Sequence, residues 1–156
     1  PSHFIVIGKT IDILPLDTFM GRGLVVDLPK IKDITAEVLR ALNLPKHVDR
    51  LLFKTSNSQL WGKGSGKFNK NYVGVTASGA RWLAKRKLKL VGVDYLSIAK
   101  FDEAQLVHQI LLKENIALLE GINLAKVRTG TYQLISLPVK ISDCEASPTR
   151  AILIKI

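Results

Sequence analysis

Two kinds of hydrophobic pattern follow one another along this chain, short apolar runs and apolar residues at helical spacing, and they predict alternating strands and helices. Short apolar runs predict strands at 23–28, 49–54, 90–93, 116–120, 130–137 and 151–154. Apolar residues at helical spacing, each set led by a capping Thr or Asp, predict helices at 35–42, 77–88 and 103–113. Strands and helices in this order are typical of an α/β domain with a mixed sheet and packed helices.

The segment 101–124 contains the residues on which the functional hypothesis depends. Asp102 is predicted to cap its helix, and Asn115 is predicted to end that helix in the left-handed conformation. His108 then lies in mid-helix, and Glu120 closes the apolar strand that follows. A carboxylate at this place is costly to bury without a partner. The residues alone leave two interpretations open, a metal site and a hydrogen-bonded or exposed pair.

Polar and aromatic residues after the second strand are further candidates for a binding site. The polar group 55–58 follows that strand directly, and in open sheets such residues often line a site. Trp61 and Phe68 lie in the glycine- and lysine-rich segment WGKGSGKFNKNY. Its glycine spacing does not match the phosphate-binding pattern G-x-x-x-x-G-K-[ST], which leaves two hypotheses, a lid over a pocket and a plain surface loop. Asp94 ends another strand, and we interpret it as a helix or loop cap rather than as a group that supports a metal site.

Length and composition limit the class of protein. At 156 residues and 47% apolar content, the chain is long enough for one domain with its own core. No apolar run reaches the length of a membrane span. The lone Cys144 excludes an internal disulfide and suits the cytoplasm, while the acidic neighbours Asp143 and Glu145 disfavour its use as a nucleophile.

The net charge of +10 raises the question of an anionic partner. Basic residues form one cluster at 81–89 and a second at 63–70. Each cluster contains a single aromatic residue, Trp82 or Phe68, and lacks the series of interleaved aromatic residues of a surface that binds single-stranded nucleic acid. We therefore interpret the charge as solvated surface and expect no nucleic-acid function.

Several separated segments together resemble one family. The frame V-H-x-x-L-L-x-x-x-I-x-x-L-E-G runs from Val107 to Gly121. Further matching segments are 1–4, 8–12, 16–19, 23–28 and 91–97. In order and spacing these segments resemble the metal-dependent cyclase-like hydrolases, a family that includes kynurenine formamidase (arylformamidase).

The resemblance implies a fold, a chemistry and a set of site residues. The fold is the family's swivelling β/β/α domain, which is commonly a homo-oligomer, and the substrate class is a small-molecule amide such as N-formyl-L-kynurenine. Divalent zinc or manganese is the implied cofactor, with His108 and Glu120 among its ligands. His3 is the implied catalytic general acid and base, and a planar aryl substrate would suit Trp61 or Phe68 as binding residues.

The start of the chain departs from the family pattern. The family's metal motif is H-x-G-T-H-x-D-x-P-x-H, and only its tail is present, as Pro1 and His3. Three of the five metal ligands that the resemblance implies are absent, so we expect residues 1–156 to form a single cyclase-like domain that is N-terminally incomplete. Since catalytic zinc normally has three or more protein ligands, we expect weak or no metal binding and an inactive chain. The alternative hypothesis is a metal-free pseudoenzyme that acts as a binding or partner subunit.

Overall fold

The computed structural model describes residues 4–5, 8–61 and 68–156. Its strands are β1 (Met20–Leu28), β2 (Arg50–Thr55), β3 (Leu90–Val93), β4 (Ala117–Leu119), β5 (Gly130–Ile135) and β6 (Ile152–Lys155). Its α-helices are α1 (Ala36–Ala41), α2 (Ala77–Ala84) and α3 (Ala104–Lys113). The predicted order of strands and helices is confirmed.

One six-stranded sheet organises the described part of the chain, in the order β4-β3-β2-β1-β5-β6. Strands β1 to β4 pair in parallel, whereas β5 pairs antiparallel with β1 and β6 antiparallel with β5. The helices connect the parallel strands, as parallel pairing requires a crossover connection. The predicted α/β class with a mixed sheet is therefore confirmed.

Both faces of the central strands are buried, which explains their continuous apolar runs. On β2, Leu51 and Phe53 face a core formed with the three helices, to which α3 contributes Leu111. Leu52, between them, faces a second core with Leu134 of β5 and with loop residues. The helices leave the far edge of the sheet uncovered, and Ile152 and Ile154 on β6 are exposed.

Helix caps were predicted with mixed success. Thr35 and Thr76 accept hydrogen bonds from the backbone N–H groups of Val38 and Gly79, at 3.3 and 3.2 Å, so both predicted N-caps are confirmed. The prediction for Asp102 is wrong, because a 3₁₀ turn at Phe101–Glu103 precedes α3. The carboxylate of Glu103 instead accepts a hydrogen bond from Ala77 N, at the start of α2.

Element boundaries differ from the predictions where pairing or packing extends over long range. Strand β1 begins at Met20 rather than at residue 23, since its first residues pair with β5. Helix α2 ends at Ala84 rather than at residue 88, and Lys87 then takes a left-handed φ of 54° while Leu88 enters the core. No helix in the described ranges is long and apolar enough to cross a membrane.

Candidate functional site

Helix α3 places His108 at the edge of the helical layer. Val107 and Leu111, one turn apart, are fully buried in the core and fix the rotation of the helix. His108 lies on the adjacent stripe and is 7% exposed. The helix ends at Lys113, and the φ of 57° at Asn115 just beyond it confirms the predicted left-handed stop. This turn sends the chain back into β4.

Strand β4 brings Glu120 to the same place. The strand pairs in parallel with β3, and Glu120 directly follows its last residue, Leu119. Gly121 follows with a φ of 71°, a conformation that favours glycine, and its N–H donates to Tyr95 O at 2.7 Å. The Glu120 carboxylate accepts a hydrogen bond of 2.6 Å from Ile98 N. Backbone groups therefore hold Glu120 in one orientation.

His108 and Glu120 face each other, with 3.4 Å between Nε2 and Oε1, which confirms the predicted proximity of the pair. The other ring nitrogen, Nδ1, lies 2.6 Å from Ala104 O. Because a carbonyl oxygen only accepts hydrogen bonds, Nδ1 carries the proton, and in the neutral ring Nε2 presents a lone pair to the carboxylate. Two acceptors in contact repel unless a proton or a cation lies between them. The geometry therefore suits both a pair that shares a proton and two ligands of one metal ion, with the second ring nitrogen held by a backbone carbonyl.

The ring of His108 is held from one side by Phe4. The two rings stack with centroids 4.3 Å apart and an interplanar angle of 19°. Gln109, the next residue on α3, also donates to Phe4 O at 3.5 Å. The beginning of the chain is therefore attached to the His108 side of the site. His3, the predicted general acid and base, lies outside the described residues.

A cavity of about 120 Å³ opens beside the pair. The polar residues of its lining are His108, Glu120, Ser136, Glu145, Ser147 and Thr149. Most of the remaining wall is apolar; it includes Ile11, Leu14, Phe19, Leu90, Leu112, Ala117, Leu119 and Pro138. The hydroxyl of Ser147 is buried and has no hydrogen-bond partner among the described residues. Such a cavity suits a small apolar or aryl group that carries hydrogen-bonding functions.

The donor atoms suit zinc or manganese, but they form only part of a site. Imidazole nitrogen and carboxylate oxygen are ligands of both ions. Within the described ranges, no group of three or more His, Cys, Asp or Glu side chains could hold a metal ion. His108 and Glu120 thus fit a metal as two ligands, and further ligands would have to come from elsewhere.

The predicted substrate residues Trp61 and Phe68 do not line this cavity. Trp61 Nε1 donates to Asp94 O at 2.9 Å, which anchors the ring. Phe68 belongs to an aromatic cluster with Tyr72, Tyr95 and Phe101, at centroid distances of 5.7 to 6.0 Å. Their contact with substrate stays a prediction. The middle of the predicted lid, residues 62–67, lies outside the described residues.

Sequence reasoning missed two tyrosines beside Glu120. Tyr95 supplies the carbonyl that binds Gly121, and its ring stacks on Tyr72 at 4.3 Å. Burial raises the pKa of Tyr72, and the nearby Glu120 carboxylate adds to the rise. The Tyr72 hydroxyl donates to Ala99 O at 2.6 Å. No spacing in the sequence marks these residues, because their stacking joins separate loops.

The polar group 55–58 has a structural role at the end of β2 rather than a place in the cavity lining. Asp94 is fully buried and accepts four hydrogen bonds. Two come from Thr55, through N at 2.7 Å and Oγ1 at 2.8 Å. Two come from Ser58, through N at 2.9 Å and Oγ at 2.7 Å. The interpretation of Asp94 as a cap is confirmed. Residues 55–58 do not line the cavity beside His108, whereas Ser56 lines a separate cavity together with Tyr72.

Comparison with known proteins gives matches along the whole chain. The family model described as "Putative cyclase" matches residues 1–100. Cyclase-like protein 1 of Oryza sativa subsp. japonica is 43% identical over 99% of this chain, and kynurenine formamidase of Bacillus thuringiensis (strain Al Hakam) is 32% identical over 98%. The chain spans 57% of the rice protein and 71% of the Bacillus protein.

A solved structure described as a potential metal-dependent hydrolase with cyclase activity has the same fold. It superposes with a TM-score of 0.86 at 28% identity, and the match covers 97% of this chain and 73% of that chain.

Proposed function

This chain belongs to the cyclase family, and we propose that it is the core of a metal-dependent hydrolase that cleaves the C–N bond of a small-molecule amide. The observation that carries the proposal is the opposition of His108 Nε2 and Glu120 Oε1 beside an apolar cavity. The name of the Bacillus relative supports a formamide as the substrate class. We propose N-formyl-L-kynurenine, an aryl formamide, as the compound to test.

The chain's own residues would orient the reaction. A divalent zinc or manganese ion would supply hydroxide near neutral pH and polarise the amide carbonyl. Ala104 O keeps the lone pair of His108 Nε2 directed at the site, and Ile98 N–H holds the Glu120 carboxylate. His3, through its resemblance to the family residue, would pass a proton to the departing amine. The stacking of the adjacent Phe4 on His108 supports a place for His3 at this site.

The cavity would receive the aryl group of the substrate. Its volume of about 120 Å³ and its apolar wall suit one aromatic ring. The unpartnered hydroxyl of Ser147 would bind a polar substituent of that ring or the amide itself. Trp61 and Phe68 remain proposed contacts for the part of the substrate that lies outside the cavity. Phe68 is 47% exposed and therefore has surface to offer.

We propose that the further ligands come from a segment H-x-G-T-H-x-D-x that precedes Pro1 and completes the motif H-x-G-T-H-x-D-x-P-x-H. An ion with two protein ligands stays largely hydrated and weakly bound. Residues 1–156 alone should therefore release little formate from N-formyl-L-kynurenine, even with zinc or manganese added. The chain extended by this segment should bind one or two metal ions and release formate in a chelator-sensitive reaction.

Formate release and metal content test this proposal together. Each is measured on the chain of 156 residues and on the extended chain, with and without chelator. Chelator-sensitive turnover by the shorter chain would contradict the ligand count. An extended chain that binds metal but leaves the formamide intact would point to a different amide. An extended chain without metal or turnover would support the metal-free partner subunit instead.

We also propose a cytoplasmic homo-oligomer. Ile152 and Ile154 on the edge strand β6, together with the terminal Ile156, are 46 to 62% exposed. Exposed apolar edge strands tend to pair with other chains. Light scattering over a wide range of protein concentration tests this, and a monomer at every concentration would contradict it.

A further inference from the structure

The net charge of this chain comes from one continuous segment. Residues 50–93 contain ten Lys and Arg and no Asp or Glu, whereas the remaining residues contain thirteen of each sign. The whole net charge of +10 thus belongs to less than a third of the chain. Charge that is segregated in this way creates a local field that a uniformly mixed surface does not have.

Part of this charge is compensated within the fold. Lys54 forms an ion pair with Asp27 at 3.2 Å, and Lys89 forms one with Asp17 at 2.8 Å. Arg50 is 3% exposed, and its guanidinium donates to backbone carbonyl groups that include Thr18 O. Lys70 lies over the Phe101 ring, 4.9 Å from its centroid, and the other uncompensated charges in the described part of this segment lie on and just after α2.

Helices α1 and α2 form a groove that collects this charge. The groove has a volume of about 240 Å³ and is lined by Ala36, Arg40, Ser78, Arg81, Trp82 and Lys85. The three basic side chains of this lining are exposed, and none of them forms an ion pair within the described ranges. Glu37 lies on α1 but does not line the groove. The rim is therefore basic on both helices.

The floor of the groove is apolar and is not available for base stacking. Ala36 and Trp82 form this floor. One face of the Trp82 ring is covered by the guanidinium of Arg86, at 5.0 Å from the ring centroid, and the ring also packs against the main core. Arg86 is held there by hydrogen bonds to Leu44 O and Pro45 O. A nucleic-acid base would need a free aromatic face, whereas Arg86 and the core already contact this ring.

We propose that this groove between α1 and α2 binds an acidic peptide segment of a partner protein, in which carboxylates flank one apolar side chain. The apolar side chain would lie on Ala36 and Trp82. The carboxylates would bind Arg40, Arg81 and Lys85, and the arginine guanidinium groups can each bind a carboxylate through two parallel hydrogen bonds. The groove does not share lining residues with the cavity beside His108, so this function is independent of the proposed hydrolase.

Fluorescence anisotropy with a labelled probe tests the proposal. The probe is a short fluorescein-labelled peptide of glutamates with one central leucine. It should bind the native chain, and affinity should fall as salt concentration rises. The double variant Arg81→Glu/Lys85→Glu should weaken binding by about tenfold or more, since two rim attractions become repulsions. The double variant Lys126→Glu/Lys155→Glu makes the same change in net charge at exposed residues away from the groove, and it should bind as the native chain does.

Two further probes identify the class of ligand. Replacement of the central leucine by glycine should weaken binding severalfold, because the apolar floor then loses its contact. A fluorescein-labelled single-stranded oligonucleotide should bind more weakly than the peptide at the same salt concentration. Equal weakening by both double variants would show that only net charge matters and would overturn the site. Tighter binding of the oligonucleotide, or no effect of the leucine, would overturn the acidic peptide as its ligand.

Discussion

The buried carboxylate of Asp94 offers the sharpest test of how this fold supports its site. Removal of the side chain in Asp94→Ala leaves four donors without their acceptor, two of them the backbone N–H groups of Thr55 and Ser58. Hydroxyl groups can rotate toward other acceptors, whereas a buried N–H group cannot, and each orphaned donor costs about 1–3 kcal/mol. We expect Asp94→Ala to lower the free energy of unfolding by about 4 kcal/mol, which is a large part of the stability of a typical domain.

Urea unfolding measures this loss. Fluorescence of the two tryptophans reports locally, since Trp61 donates to the backbone of Asp94, and far-ultraviolet circular dichroism reports on the whole chain. Asp94→Asn keeps the shape and one acceptor oxygen, so it should lose about half as much stability. Asp102→Ala is the matched control, because Asp102 is exposed and forms no ion pair within the described ranges, and it should change stability by less than about 0.5 kcal/mol. A loss below about 1 kcal/mol for Asp94→Ala would refute this account of the network.

The remaining predictions concern the site and its surroundings. In the chain extended by the metal motif, Glu120→Gln should weaken metal binding by about 10- to 100-fold, measured by calorimetric titration; unchanged affinity would remove Glu120 from the ligand set. In the same extended chain, Ser147→Ala should raise KM for the aryl formamide severalfold with a smaller change in kcat, because the proposed role of the hydroxyl is to bind substrate and not to take part in the chemistry. An unchanged KM would show that the Ser147 hydroxyl does not bind this substrate. Because the pKa of Tyr72 is raised, its phenol stays protonated in the folded state at pH values where the unfolded state, with its ordinary pKa of 10.0, ionises. The contribution of Tyr72 to the free energy of unfolding is therefore fully present below pH 10.0 and falls as the pH rises toward the folded pKa. Tyr72→Phe should therefore lose less stability than the native chain between neutral pH and pH values above 10.0, and equal losses would contradict the assignment.

Local features of the chain were predictable because they depend on residues close in sequence. The caps at Thr35 and Thr76 each bond a backbone N–H three residues ahead, and any helix that begins there would use them. The left-handed stop at Asn115 is equally local. Apolar periodicity then determined the order of strands and helices, since each element must bury its apolar face whatever its partner is.

The proximity of His108 and Glu120 was predictable from the resemblance of the frame Val107 to Gly121 to the family pattern, which places the two residues on a helix and the next strand. The helix ends at Lys113, and the chain turns at Asn115 into β4, which brings the two residues together within one helix–strand unit. The sequence could not supply the direction of the lone pairs, which depends on the hydrogen bonds of Ala104 O and Ile98 N to the two side chains.

Only the tertiary structure decided features that join distant segments. Glu103 caps the start of α2, 26 residues away, rather than the start of the helix that follows it, α3. The first residues of β1 are a strand because they pair with β5. Asp94 binds residues 36 and 39 positions away, which turns a predicted site segment into a buried support. The cavity beside His108 takes part of its wall from residues 136–149, far along the chain. Such contacts depend on how whole elements pack, and local propensity carries no information about them because many distant partners satisfy the same apolar or polar pattern.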